Sequence, residues 1–195
     1  MNLLSHYYMG GKVFNSISKD ILRKKMFQSG NAYPDIDIQL GNASHYVDNC
    51  MNMIKDLTDK LLADVSEKYV SKSELSFRLG TIMHFVADYY TFVHDKDRFK
   101  GSLMEHTILE TKMDAKMRFM NDYDSDICFE ETEDIEELYN SLITLKTEFN
   151  SIEFSNELNI KYIYAGCKGF MTSLILIAEK QYATATVREL ASEAI

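Results

Sequence analysis

Apolar residues recur every three or four positions along most of this chain, and Pro34 is its only proline. That combination constrains the fold strongly, because a 3.6-residue period buries one face of a helix, whereas a strand needs a period of two. Val47, Met51, Ile54, Leu57, Leu61 and Val65 form one such stripe. Leu75, Leu79, Ile82, Val86, Tyr89 and Val93 form another, opened by Ser71-x-x-Glu74, the pattern of a capping box. Ser102-x-x-Glu105 opens a helix that should end near Met120, and Ile160, Tyr164, Cys167, Met171, Leu174 and Ala178 mark a long last one. The reading is an all-α fold, a single-domain helical bundle over residues 1–195. Ser29 to Asn42 holds the proline and two glycines, and is expected to be the principal loop.

At 195 residues with 46% apolar types, the chain can bury a sizeable core and is neither disordered nor fibrous in composition. The apolar run Phe170 to Ala178 falls short of the ~20 residues a hydrocarbon core requires, so no transmembrane segment is expected. His6, two tyrosines and a Gly-Gly pair stand where a secretory leader would carry its apolar stretch, which points to a cytoplasmic location. Cys50, Cys128 and Cys167 are widely spaced and suit reduced thiols. The formal charge of −9 disfavours a long nucleic-acid footprint. Nine acidic residues crowd Asp122 to Glu137, and five of them match the ligand spacing of a calcium loop. Ile127 replaces the glycine that such a loop needs, so a solvated acidic connection is the simpler reading.

Two polar pairs interrupt apolar faces. Leu103, His106, Glu110, Met113, Met117 and Met120 form one helical stripe in which His106 and Glu110 are ionisable. His84 and Asp88 have the same i+4 spacing inside the apolar run Ile82 to Tyr90. About 0.8 such His-to-acid pairs would arise by chance, so spacing alone is weak. A carboxylate facing a core, however, needs a partner, and an imidazole one turn away makes it a natural co-ligand for a cation. His94, six residues after Asp88, either serves a second site or lies past the helix end.

The ordered run His84-x-x-x-Asp88, His94 and His106-x-x-x-Glu110 resembles the core of the zinc-dependent phospholipase C family, which is related to nucleases of the S1/P1 type. Ser5-His6-Tyr7, Tyr33-Pro34-Asp35 and Ser44-His45 are similar to that family's upstream landmarks, so all five histidines find a place. The resemblance implies two to three zinc ions. His45, His84 and Asp35 would hold the first, His6 the second, and His94, His106 and Glu110 the third, with Asp88 bridging the first two. It also implies that Asp35 orients the attacking water, although Asp37 stands close enough to compete. Exported members use the amino group and carbonyl of a processed tryptophan as ligands. This chain has no tryptophan, and Met1 lies only five residues before His6, so that clamp is expected to be missing.

The expectation is therefore a metal-dependent phosphodiester hydrolase acting on a phospholipid head group, with nucleic acid a less favoured substrate. An HD-domain phosphohydrolase is the enzymatic alternative, because His94-Asp95 is an HD pair. A catalytically silent metal-binding domain is the alternative outside enzymes. Oligomeric state is not legible.

Overall fold

The computed structural model describes residues 1–17, 20–37, 46–67, 70–120, 123 and 126–193. Among them are seven α-helices and no strand: α1 (Leu3–Ile17), α2 (Lys24–Ala32), α3 (Val47–Glu67), α4 (Lys72–Tyr90), α5 (Leu103–Phe119), α6 (Ile135–Ser151) and α7 (Asn156–Glu193). Short 3-10 turns follow α2 (Tyr33–Asp35) and α4 (Phe92–His94). The all-α expectation holds, and one hydrophobic core joins residues from every helix.

α4 is the central element. Every residue from Leu79 to Tyr90 is buried, because α1, α2, α3, α6 and α7 all pack against it. At its start Ser71 Oγ accepts the Glu74 N–H at 3.2 Å, while Glu74 itself turns towards Arg78. The reciprocal box forms fully only at Ser102, whose N–H donates to Glu105 at 2.7 Å. α4 stops at Tyr90, short of Val93, and the broken backbone is satisfied from α7. The buried Asn159 amide donates to Tyr90 O at 2.7 Å, and its Oδ1 accepts from Phe92 N at 3.1 Å.

The loop expected over Ser29 to Asn42 is corrected in its first part, since α2 runs helically through Ala32. Gly30 is not there for a turn. It serves close packing: a Cβ at Gly30 would lie 2.0 Å from Phe77 O, and one at Gly80 would lie 2.1 Å from Phe27 O. Residues 38–45 lie outside the described set.

Part of the acidic segment is spent on helix capping. Asp134 accepts from Glu136 N and Glu137 N at 2.9 and 3.0 Å, and both glutamates sit in the first turn of α6, where the helix dipole favours negative charge. Asp122 and Asp124 lie outside the described residues. In α7, the stretch Asn156–Ala183 is long and apolar enough to cross a membrane by length and composition, unlike the shorter run read from the sequence, but most of it is buried in the bundle.

Candidate metal centre

Asp88 closes the last full turn of α4 and is wholly buried. Its Oδ2 lies 3.3 Å from His84 Nε2, one helical turn earlier. Its Oδ1 meets three groups from elsewhere: His6 Nε2 at 3.2 Å, His94 Nδ1 at 3.2 Å and the Met1 amino group at 2.8 Å. The rings of His6 and His84 stack with centroids 3.8 Å apart.

A second group adjoins the first. Glu110 Oε1 lies 3.2 Å from His94 Nε2, 3.3 Å from His106 Nε2 and 3.1 Å from the Met1 amino group. His94 thus spans the two groups, which it can do because the chain has left the helix by that point. α5 supplies His106 and Glu110 as the stripe implied, with Met113 and Met117 buried below them. Leu103 breaks the stripe, being almost fully solvent-exposed.

The elements around these side chains hold them in orientation. Asn31 O, at the end of α2, lies 3.0 Å from His84 Nδ1; a carbonyl only accepts, so Nδ1 carries the proton and Nε2 keeps its lone pair towards Asp88. The Asn31 amide in turn donates to His6 O. Asp35 reaches within 3.9 Å of His84 Nε2 from the turn after α2. Asp37 accepts the Tyr33 hydroxyl, so of the two loop carboxylates Asp35 is the one placed at the cluster. His45 lies outside the described residues. An opening of about 310 Å³ lined by Met1, Asp35, Tyr46, His94, His106 and Glu110 leads to the cluster.

The Met1 amino group lies inside the cluster, 2.8 Å from Asp88 and 3.1 Å from Glu110. It enters the cluster because residues 1–2 lead straight into α1, whose buried face carries His6. Burial opposes charge on that amine, but Asp88 and Glu110 outweigh it and raise its pKa above the ordinary value. The same positive charge, with His94, holds Asp88 well below the usual carboxylate range despite burial. Burial and the neighbouring His84 push His6 well down, so its imidazole is neutral.

Two observations test whether these residues fit a metal. His6 is buried, yet neither ring nitrogen makes a well-directed hydrogen bond among the described residues, the condition of a ligand rather than of a core histidine. Within each of the sets His6/His84/Asp88 and His94/His106/Glu110, the ligand atoms lie within 4.8 Å of one another. Bonds of ~2.1 Å around a tetrahedral ion separate neighbouring ligands by about 3.4 Å, close to the 3.2–3.3 Å contacts seen here. Imidazole with carboxylate is also a donor set that suits zinc.

The HD pair does not survive the geometry. Asp95 Oδ1 accepts the N–H groups of Asp97 and Arg98, and Oδ2 pairs with the buried Lys146 at 3.2 Å. His94 enters the cluster while its neighbour in sequence is committed to a structural ion pair.

A buried cluster of histidines and acids on a helical bundle, open to solvent on one side, is the build of a helical metal-binding protein. A model of the zinc-dependent phospholipase C family matches residues 5–168, and the chain belongs to that family. It is a zinc-dependent hydrolase. Comparison with curated proteins and with solved structures yields no significant match.

Proposed function

We propose that this chain cleaves the phosphodiester of a phospholipid, with two to three zinc ions held around Asp88. The observation that carries the reading is the sharing of Asp88, which faces His84 through one oxygen and His6, His94 and the Met1 amine through the other. The family's substrate class supports a phospholipid. Following the resemblance, His84, Asp35 and His45 serve one ion, His6 and the shared Asp88 a second, and His94, His106 and Glu110 a third.

Bound zinc would supply Lewis-acid polarisation of the phosphoryl oxygens and a water of lowered pKa. The rest falls to the chain. Asn31 fixes the His84 tautomer, the neutral imidazole of His6 offers a lone pair, and Asp35, 19% exposed at the opening, orients the attacking water and accepts its proton.

Elemental analysis of untagged protein, paired with hydrolysis of a monomeric short-chain phosphatidylcholine and of single-stranded DNA, tests the reading. The expected result is two or more zinc equivalents and cleavage of the lipid. Cleavage of the DNA alone would replace this reading with a nuclease, and a folded, metal-free protein indifferent to chelators would remove the metal centre.

A further inference from the structure

Three contacts between α1 and α5 share nearly one sequence offset: Met1 with Glu110, Ser5 Oγ with Asp114 at 3.2 Å, and Tyr8 beneath the Arg118 guanidinium. The helices therefore run parallel and in step, and the seven residues from Glu110 back to Leu103 carry the start of α5 about 10 Å past the level of Met1. The opening to the metal centre lies at this end of the bundle, so the first turn of α5 stands over its rim.

That rim is apolar where water should favour polar residues. Leu103 is 82% exposed and Met104 73%, side by side in the first turn. Ile36, 67% exposed, directly follows Asp35, which lines the opening. Single exposed apolar residues need no explanation, but three gathered at the end of the bundle that holds the opening do. The tip is also firmly built. The capping box of Ser102 and Glu105 closes the helix start, and a Cβ on Gly101 would meet the Phe99 ring at 2.4 Å. Two basic side chains stand beside the tip, Lys96 over the ring of Tyr46 at 3.6 Å and the exposed Lys100 just before Gly101, in a protein of formal charge −9.

We propose that this end of the bundle docks on a phospholipid surface, with Leu103, Met104 and Ile36 entering the acyl boundary and Lys100 meeting lipid phosphates, so that the opening faces the substrate layer. The proposal rests on the phospholipid reading of the site. An apolar tip beside basic residues is the composition of interfacial segments, and a lipid drawn from an aggregate would enter the opening without crossing water.

The test measures binding of the zinc-loaded protein to vesicles made of phosphatidylglycerol analogues in which carbon replaces the oxygen between phosphorus and the diacylglycerol, so that no turnover occurs. Wild type is compared with the double variant Leu103→Ser, Met104→Ser. The variant should bind about tenfold more weakly and lose hydrolysis of natural vesicles to a similar degree, while keeping wild-type hydrolysis of a monomeric short-chain lipid. Equal vesicle binding by the two proteins would overturn the proposal. So would light scattering that shows a dimer in wild type and a monomer in the variant, because the apolar tip would then be covered by a second copy. If neither protein cleaves any lipid, the phospholipid reading fails on its own terms, whereas vesicle binding still reports on the tip.

Discussion

Gly30 on α2 and Gly80 on α4 face one another's helices so closely that each lies against the backbone of the other: a Cβ on either would sit 2.0–2.1 Å from a carbonyl oxygen across the interface. This crossing sets the distance between Asn31 and His84, because Asn31 follows Gly30 directly and His84 lies one turn beyond Gly80. Gly80→Ala should cost at least about 3 kcal/mol, the upper range for overpacking, since neither neighbour is a movable side chain. It should also reduce zinc content. Gly11→Ala is the control, because its nearest atom is the end of the flexible Gln28 side chain and alanine favours the helix. Thermal unfolding with metal analysis checks both; equal effects from the two substitutions would refute the assigned role of the crossing.

Much of this was legible in the sequence, and the rest was hidden for identifiable reasons. The stripes of α3, α4, α5 and α7 announce themselves because each buries a face at helical period. His84 and Asp88 stood out because ionisable groups are costly on such a face. α2 did not, since Gly30 reads as a loop residue when its real partner lies about fifty residues away on α4. α6 was obscured by the acidic run that caps it. Met1 was weighed and set aside because the resemblance ties the clamp to a tryptophan, whereas a backbone amine is common to any first residue; Asn159 was missed because one polar residue within an apolar helix carries no local sign of the broken backbone it satisfies.

Asp88 and Asp95 stand seven residues apart in different roles, and amide substitution should separate them. Asp88→Asn removes the charge shared by both ligand groups, so zinc content and turnover should fall together, by tenfold or more in metal affinity. Asp95→Asn leaves the Lys146 ammonium buried without its counter-charge and should cost about 3 kcal/mol of stability with zinc content unchanged. Metal analysis and denaturant unfolding of both variants give the comparison; loss of zinc from Asp95→Asn and not from Asp88→Asn would restore the HD reading.

The Met1 amine lies 2.8 Å from Asp88 and 3.1 Å from Glu110, inside the cluster rather than beside it. The amine gains a lone pair for a cation once its extra proton is displaced, whereas acetylation, or one residue ahead of Met1, leaves an amide nitrogen there with none to offer. Both forms should hold at least one zinc equivalent fewer and turn over at least about tenfold more slowly than protein with a free Met1 amine. Full zinc content in the acetylated form would show that the cluster is complete without the amine.

The buried tyrosines that end α4 make stability sensitive to alkali. Burial pushes the phenol of Tyr90 well above its ordinary pKa, and burial with neighbouring negative charge raises Tyr89 to about 12. A phenol that stays protonated in the fold but ionises near 10 when unfolded contributes stability that is complete below about pH 10 and is lost as the pH rises towards 12. The tyrosine contribution to unfolding free energy should therefore be flat between about pH 8 and 9 and fall steeply by about pH 11, on top of the decline that the raised Met1 amine adds from about pH 8. Tyr90→Phe keeps the packing against Gly166 and loses one hydrogen bond to Leu142 O, a cost of about 1 kcal/mol at neutral pH. Its alkaline slope should be shallower than that of wild type, because one buried phenol no longer competes. Urea titrations of both proteins across this range measure the two slopes, and identical slopes would show that Tyr90 ionises as readily in the fold as out of it.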